Sequence, residues 1–377
     1  MSLPLGAFEL TVERQQIPSR LVRMAAPTAS VAFGLLVGAV IIWASGQDPI
    51  LAYTEMAKKG FGGRLALTGT LVLATPLILT GLAAVVAFRM KIWNIGAEGQ
   101  LILGAVASSG VGLWLGDNGI GGPVGIVLML AAGAGAGALW AGLAALPRAY
   151  LNTDEVISTL MLNFVALGIM NYLIFSSFSH WRDPSRATFP VGRFVDDSMF
   201  LHRFTGRLHI GLFIALAAAG ALWWALRSTR WGFEVWVTGD SPRAALYSGM
   251  RVDRKILSVL MVSGAFAGLG GGIEVGGVLG NLDPRALSLG VGFAGIVVAA
   301  LARLSPLGVI PVAILVASFT NAKPGLQVLG IPSEIVTLLE GILFLCIVGG
   351  EWFLRNAVRL QRRAAGPRPV GVEAAPS

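Results

Sequence analysis

Cysteine, histidine and charged residues are all scarce in this chain of 377 residues. The single cysteine, Cys346, has no partner for an internal disulfide and no basic neighbour in sequence that would stabilise a thiolate. The histidines, His180, His202 and His209, show no metal-ligand spacing, so we expect no metal site. Charged residues make up only 13 % of the chain, which is about half of the fraction usual in soluble domains and excludes an ordinary soluble protein.

The sequence signatures of catalysis are also missing. The chain contains no GxxxxGK[ST] phosphate loop, no GxSxG nucleophile turn and no HExxH metal helix. Paired carboxylates at helical spacing inside the apolar runs, which a proton or sodium relay would use, are absent too. We therefore expect no enzymatic activity and no cofactor, and any ATP would be bound by another chain.

Hydrophobic residues make up 55 % of the chain and come in long runs. A helix needs about 20 apolar residues to cross the hydrocarbon layer of a membrane, which is ~30 Å thick. The sequence thus predicts an all-α polytopic membrane protein with about ten transmembrane helices. The third, eighth and ninth runs are short or interrupted by glycine, which predicts broken or tilted helices. The runs are 24–46, 67–87, 101–116, 123–146, 157–177, 209–226, 256–279, 288–302, 306–320 and 332–350.

An even number of spans places both termini on the same side of the membrane. With cytoplasmic termini, roughly 18 Lys and Arg residues lie inside and roughly 10 outside, as the positive-inside rule requires. The basic loop 227–255 is then cytoplasmic and the mixed-charge loop 178–208 external. We divide the chain into an N-terminal cytoplasmic segment (1–22) that forms a strand or helix on the membrane surface, a transmembrane domain (23–352) and a basic, disordered cytoplasmic tail (353–377).

Polar residues interrupt the apolar pattern first in the segment 88–104, where Asn94, Glu98 and Gln100 lie between two apolar runs. Gly96 and Gly99 favour a sharp turn. Two interpretations stay open: an ordinary cytoplasmic turn, or a broken segment that enters the membrane. Irregular backbone survives at depth only where it is packed in protein or lines a cavity, so the second interpretation points to a substrate path.

A second polar residue, Asn163, lies about two turns inside the apolar run that starts near position 157. Asn152 or Thr153 is placed to cap this helix, with Asp154 and Glu155 in its first turn. An asparagine within a span either bonds a neighbouring helix or faces a substrate, and the sequence leaves both open.

A stripe of glycines at every fourth position predicts close helix packing in the seventh run. The glycines are Gly264, Gly268, Gly272, Gly276 and Gly280. Glu274 lies within this stripe. A carboxylate inside a span must face protein, water or a partner, unless it sits at the interface near the end of the span.

The basic loop 230–255 predicts a short cytoplasmic helix over 242–248. Asp240 or Ser241 is suited to cap it, Pro242 to the first helical position and Gly249 to the stop. Such a helix is either a solvated connector or the element through which a soluble motor pushes on the membrane domain.

With these motifs in view, the chain resembles the permease subunits of bacterial ABC importers for nucleosides and simple sugars, a group that also holds ribose and branched-chain amino-acid permeases. The segment WNIGAEGQ is similar to the hallmark of the nucleoside branch, which reads close to FNIGAEGQ. Trp93 replaces the usual Phe, and Asp240 stands where Asn is common. The matching segments, in order, are 74–104, 154–164, 239–250, 263–278 and 292–309.

The resemblance implies a ten-span permease in a bacterial inner membrane, with both termini cytoplasmic. It implies three kinds of partner: a second permease chain, which in the nucleoside branch is often a different one, two ATPase subunits and an external substrate-binding protein. No nucleic acid is expected. The residues expected along the substrate path are Trp93, Asn94, Glu98, Gln100, Asn163 and Glu274. The residues expected to start the coupling helix are Asp240, Ser241, Pro242, Arg243, Ala244 and Ala245.

Within the importer interpretation, a nucleoside and a simple sugar such as ribose compete as cargo. Nucleoside recognition uses aromatic stacking and amide hydrogen bonds, which Trp93, Asn94, Gln100 and Asn163 would supply. A stand-alone secondary carrier or channel is the alternative from a different class. The predicted helix at 242–248 and the lack of carboxylate pairs favour the importer. A membrane enzyme would need a convergent set of His, Asp or Cys, which the apolar runs lack.

Overall fold

Helices make up most of the residues that the structure describes, and strands form only short segments. The computed structural model describes residues 2–5, 8–14, 20–176, 179–186, 190–288 and 290–362. The helices are α1 (Arg20–Ala44), α2 (Pro49–Phe61), α3 (Arg64–Arg89), α4 (Ala97–Asp117), α5 (Gly122–Leu151), α6 (Glu155–Phe175), α7 (Gly211–Ser228), α8 (Arg230–Asp240), α9 (Pro242–Tyr247), α10 (Val252–Glu274), α11 (Pro284–Leu287), α12 (Val291–Leu301), α13 (Val309–Val328) and α14 (Ser333–Arg355). The strands are β1 (Ser2–Leu5), β2 (Phe8–Arg14), β3 (Arg203–Thr205), β4 (Leu208–His209) and β5 (Asn356–Arg362).

Eight helical segments within the described residues are long and apolar enough to cross a membrane. They are α3, α4, α5, α6, α7, α10 with the π-helical turn that follows it, α11 with α12, and α13. A ninth span results if α1 and α2, which meet the criterion only together, are counted as one. The prediction of an all-α polytopic membrane protein is confirmed. The number of ten spans and the cytoplasmic termini stay predictions.

Contacts between residues divide the chain into two units, Met1–Pro49 with Thr337–Ser377, and Ile50–Val336. The first unit contains an antiparallel sheet in the order β1–β2–β5. The sequence predicted a disordered tail from residue 353, but 356–362 form a strand because β2 supplies backbone partners along its whole length. The rest of that tail (363–377) and residues 1, 6–7 and 15–19 of the predicted N-terminal segment lie outside the described residues.

The second unit is built around α3, which is buried along most of its length, and around α10, which packs against α4 and α5. Glycines let α10 and α5 approach backbone to backbone. A Cβ on Gly264 would collide with the carbonyl oxygen of Gly137, and a Cβ on Gly268 with that of Gly133. Further along α10 and its π-helical end, Cβ atoms on Gly272 and Gly276 would each lie 2.5 Å from a side-chain atom of α4 or α5. The whole predicted stripe up to Gly276 therefore faces other helices.

The backbone is irregular where α10 ends. Five residues, Val275–Leu279, continue α10 as a π-helix, and Gly280 then turns the chain with a left-handed φ of 74°. The short α11 follows, and Gly290 (φ 78°) leads into α12. The run at 288–302 is thus broken, as predicted. The third and ninth runs are continuous helices of 21 and 20 residues, because α4 begins earlier and α13 extends later than the apolar residues alone indicate.

The predicted external loop is folded onto this irregular end of α10 across its described residues. Val195 donates a backbone hydrogen bond to the Gly280 carbonyl (2.8 Å) and Leu201 to that of Gly276 (2.8 Å). The side chain of Asn281 donates to the Gly192 carbonyl (3.2 Å). The first two bonds satisfy carbonyl groups that the π-helix and the glycine turn leave without helical partners, and the third satisfies a carbonyl of the loop.

Candidate functional site

The connection between α3 and α4, residues 90–96, is an irregular segment buried in protein; we call it the α3–α4 turn. The chain leaves α3 after Arg89 and passes Lys91 with a left-handed φ of 58°. Met90 and Ile92 pack with apolar side chains of α5, α8 and α10. The turn is therefore packed inside the protein, unlike an ordinary solvated connection.

Asn94 is fully buried at the centre of this turn. Its amide and that of Gln100 bond each other twice, at 3.1 and 3.0 Å. The Asn94 oxygen also accepts from the backbone of Gly96 (3.0 Å), and its nitrogen donates to the Ser263 hydroxyl (2.8 Å). Ser263 in turn donates to the carbonyl of Ala83 (2.6 Å). Every donor of the Asn94 amide is thus engaged by protein.

These contacts show how far back along α3 the turn is linked. Ala83 lies six residues before the last residue of α3, Arg89, which corresponds to about 9 Å along the helix axis. Asn94 is linked through Ser263 to that level of α3. The chain therefore folds back beside α3 after leaving it, and α4 starts inside the bundle. The segment is thus packed against other helices, and its entry into the membrane stays a prediction.

A stripe of polar residues on α6 holds the other side of the turn. Glu155, Thr159 and Asn163 are spaced four residues apart and therefore lie on one face. Glu155 and Thr159 accept the backbone N–H groups of Trp93 and Ile95, both at 3.2 Å. Backbone groups that no helix satisfies are thus paired by α6.

Asn163 completes this stripe with two bonds. Its nitrogen donates to the Ile95 carbonyl (2.9 Å), and its oxygen accepts from the Gly99 N–H in the first turn of α4 (2.8 Å). Asn163 was among the residues expected along the substrate path, whereas Thr159 and the contact role of Glu155 were not predicted. Their spacing with Asn163, four residues apart in an otherwise apolar helix, was the signal that would have identified them.

Glu98 connects the start of α4 to the start of α12. The side chain is buried, and its two oxygens accept the backbone N–H groups of Gly290 (3.0 Å) and Gly292 (2.6 Å). A Cβ on Gly292 would collide with the backbone of Glu98, so only glycine allows the two helix starts to approach this closely. The carboxylate thus caps α12, where unpaired N–H groups and the helix dipole favour negative charge.

Two of the residues expected along the substrate path are placed differently. The Trp93 ring is half exposed and lies 4.7 Å from the Phe88 ring, so only its backbone takes part in the network. Glu274 ends α10, eleven residues beyond Ser263 and about 16 Å further along the helix. The structure therefore brings together Asn94, Glu98, Gln100 and Asn163 but leaves Glu274 apart. The amide groups expected to bind cargo are bonded to protein in this conformation.

The helix predicted over 242–248 is present as α9, Pro242–Tyr247. The Ser241 hydroxyl accepts the Ala244 N–H (3.3 Å), and Gly249 ends the helix with a left-handed φ of 77°. Ala245 is fully buried, so the accessible face is formed by the other residues. Leu246 and Tyr247 are 60 % and 94 % exposed.

The segment that precedes α9 contacts the α3–α4 turn directly. Gly239, near the end of α8, lies so close that a Cβ there would be 2.5 Å from the Arg89 carbonyl oxygen and 2.8 Å from Met90 Cα. Asp240 lies beside Lys91, with 3.6 Å between carboxylate and ammonium. Any movement of α8 and α9 toward the turn would therefore press Gly239 against the backbone of Arg89 and Met90.

Glu234 holds α8 to the start of α10. Its carboxylate lies 2.6 Å from the Lys255 ammonium and 3.1 Å from the Arg230 guanidinium. The hydrogen bond from Lys255, with the help of Arg230, holds the pKa of Glu234 below its usual range. Across the described residues, no three His, Cys, Asp or Glu side chains lie close enough to hold a metal ion.

Comparison with known proteins agrees with this architecture. Residues 66–348 match the family model described as the permease component of branched-chain amino acid transport systems. The chain is 34 % identical to the guanosine ABC transporter permease protein NupP of Bacillus subtilis, over 92 % of this chain and 99 % of NupP. It is also 34 % identical to the glucose ABC transporter permease protein TsgB13 of Haloferax volcanii, over 93 % and 94 % of the two chains.

A third relative is the nucleoside ABC transporter permease protein NupB of Lactococcus lactis, which is 32 % identical over 85 % of this chain and 89 % of NupB. No solved structure matches the chain. The resemblance inferred from the motifs is thus confirmed. The family model covers most of the chain and all of the network around the α3–α4 turn, and the chain belongs to the branched-chain amino acid transport system permease family of multi-pass membrane proteins.

Proposed function

We propose that this chain is the membrane-spanning permease subunit of an ATP-driven importer in a bacterial plasma membrane, and that its cargo is a nucleoside. Two similar proteins are named as guanosine and nucleoside permeases. A simple sugar is the second candidate, because the glucose permease of Haloferax volcanii is equally similar. The importer would take its energy from separate ATPase subunits and its cargo from an external binding protein.

The contact between α8–α9 and the α3–α4 turn carries this proposal. A permease without an ATP site needs a rigid, accessible element that receives a push and a stiff connection that passes it inward. The short capped α9, with Tyr247 exposed, suits the first task. Gly239 against the backbone of Met90 suits the second, since the turn is bonded to α6 and α10, and the start of α4 that follows it is bonded to α12. A stand-alone carrier has no use for this arrangement.

The cap on α12 supports an uncharged cargo. In transporters with broken helices, the N-terminus of a half-helix often faces an anionic group of the substrate. Here the Glu98 carboxylate already occupies the start of α12. An additional anion at this place would meet an existing negative charge, whereas a nucleoside or a sugar carries none. This charge arrangement supports a neutral cargo over a nucleotide.

A second permease chain completes the proposal. Bacillus subtilis has two guanosine permease proteins similar to this chain, NupP and NupQ. By analogy, we propose that this chain pairs with a different permease, that both of its termini are cytoplasmic and that α9 faces an ATPase subunit.

Uptake into proteoliposomes that contain the assembled transporter, its binding protein and internal ATP tests the proposal. We expect saturable uptake of labelled guanosine that unlabelled nucleosides inhibit and glucose does not. The double substitution Arg243→Glu and Ala244→Glu on the accessible face of α9 should abolish uptake. Arg186→Glu, in the predicted external loop, is the charge-reversal control and should leave uptake intact. ATP-independent uptake, or normal uptake by the double variant, would refute the coupling role of α9.

A further inference from the structure

A cavity of about 560 Å³ opens between α8, the end of α9 and the start of α10, and the proposed transport cycle makes no use of it. Its lining includes Trp231 and the charged residues Arg230, Glu234, Arg251, Arg254 and Lys255. Four basic side chains and one carboxylate therefore share one space.

Only some of these charged side chains form ion pairs with each other. The Glu234 carboxylate is bound by Lys255 and Arg230. Arg251 and Arg254 are exposed and form no ion pair with any part of the chain that the structure describes. The net formal charge of the lining is three positive, and Asp253, between the two arginines in sequence, does not contribute to the lining. Such an excess attracts an anion.

The first turn of α10 adds to this preference. Arg251 is the residue before the helix, and its side chain makes no capping hydrogen bond. Arg251 and Arg254 flank this first turn and line the cavity, whereas Val252 and Asp253 do not, so the helix start contributes its dipole to the positive charge there. Helix starts of this kind favour phosphate.

The position of the cavity indicates whether a lipid headgroup or a soluble anion suits it better. The candidate spans on either side are α7, which ends at Ser228, and α10, which begins at Val252, and the cavity lies at these two ends. The helix α8 between them exposes Phe233 (56 %) and Trp236 (62 %), as helices at a membrane surface do. Trp231 lines the cavity and bonds the Ser258 hydroxyl through its indole N–H (3.2 Å).

We propose that this cavity binds the headgroup phosphate of an anionic phospholipid such as phosphatidylglycerol, with Arg251 and Arg254 as its principal ligands. Basic pockets at the cytoplasmic ends of spans are suited to such headgroups. The bound lipid would fill the space beside Glu234 and hold α8 at the membrane surface next to α9.

Native mass spectrometry of the full-length purified chain, titrated with phosphatidylglycerol or phosphatidylcholine, tests the site. We expect selective retention of phosphatidylglycerol. The double substitution Arg251→Gln and Arg254→Gln should weaken it about thirtyfold, since each basic residue near an anionic membrane surface contributes about 1 kcal/mol and 1.4 kcal/mol corresponds to a factor of ten. The matched control, Arg186→Gln with Arg285→Gln, removes the same charge elsewhere and should retain the lipid.

Three results would overturn the proposal. The first is unchanged phosphatidylglycerol selectivity in the double variant. The second is binding of inorganic phosphate or glycerol phosphate, dependent on the same arginines, with no preference between the two lipids; the anion would then be soluble. The third is loss of ATPase-subunit association with normal lipid binding, which would make the cavity a protein docking surface. If the double variant fails to fold, two other measurements test the same proposal. Arg254→Gln alone should weaken the binding of phosphatidylglycerol, and phosphatidylglycerol should raise the melting temperature of the unmodified chain.

Discussion

Replacing Gly239 by alanine tests whether α8 passes force to the α3–α4 turn. The new Cβ would lie 2.5 Å from the Arg89 carbonyl oxygen, whereas ordinary contacts start at 3.4 Å. The clash involves backbone on both sides, so no side chain can rotate away from it. We therefore expect α8 to retreat from the turn by roughly 0.9 Å, the difference between these two distances.

The effect on stability should be small. Overpacking costs about 1–3 kcal/mol, but replacing glycine by alanine within a helix returns about 1 kcal/mol. The net loss lies between about 0 and 2 kcal/mol. The pair formed by Lys91 and Asp240 cannot restore the contact, because both side chains are mostly exposed and such pairs contribute little. The variant should thus fold while its contact with the turn is altered.

The measurement is uptake per ATP hydrolysed, in proteoliposomes that contain the assembled transporter. Coupling free energies between sites are typically 1–3 kcal/mol, or 5- to 150-fold, so we expect Gly239→Ala to lower this ratio at least about fivefold. Gly220→Ala on α7 is the matched control, because a Cβ there meets no atom within 4 Å. If Gly239→Ala melts normally and keeps the wild-type ratio, force does not pass through this contact.

Three further predictions concern burial, charge and packing. The first uses single cysteines in a Cys346→Ser background. A thiol-reactive impermeant reagent should label the purified Trp93→Cys variant at least about tenfold faster than Asn94→Cys, because position 93 is half exposed and position 94 fully buried. Equal labelling rates would contradict the burial of Asn94. The lowered pKa of Glu234 means that its charge stabilises the folded chain fully above the unfolded-state pKa of about 4.3, and that this contribution is lost as the pH falls through the lower folded-state pKa. The melting temperatures of wild type and Glu234→Gln should therefore differ at pH 7 and converge as the pH falls through the folded-state pKa, and a constant difference would contradict the ion pairs. Gly268→Leu should destabilise the chain by about 3 kcal/mol or prevent its folding, because the side chain would enter the backbone of α5; normal melting in detergent would contradict the close packing.

Local signals in the sequence were sufficient for the helices and for α9. Apolar length placed the spans, since crossing a hydrocarbon layer needs a fixed number of residues. Ser241, Pro242 and Gly249 located α9 to within one residue, because capping, the first helical position and the stop are each set by one residue's own chemistry.

Contacts between distant segments could not be predicted in the same way. Asn94 and Gln100 were recognised as unusual, but their neighbour Ser263 lies 169 residues from Asn94. The partners of Glu98 are more than 190 residues away and are backbone groups, which leave no side-chain signal. The pairing of β2 with β5 could not be predicted either, because it joins the two ends of the chain through backbone groups. The polar residues expected to face cargo are thus bonded to side chains and backbone of the protein itself.

The carboxylates within the spans favour an energy source outside the membrane. A carrier driven by protons or sodium needs an embedded carboxylate that is free to bind and release the ion. Glu98 has both oxygens on the N–H groups of α12, and Glu155 accepts an N–H of the α3–α4 turn and lies 3.1 Å from an arginine. Protonating Glu155 would weaken the attachment of the turn to α6, and protonating Glu98 would weaken that of α4 to α12. Glu274 lies apart from this network, about 16 Å along α10 from the residue that bonds Asn94. In the proposed importer, a push on α8 would reach the turn that Glu155 stabilises without any change of protonation.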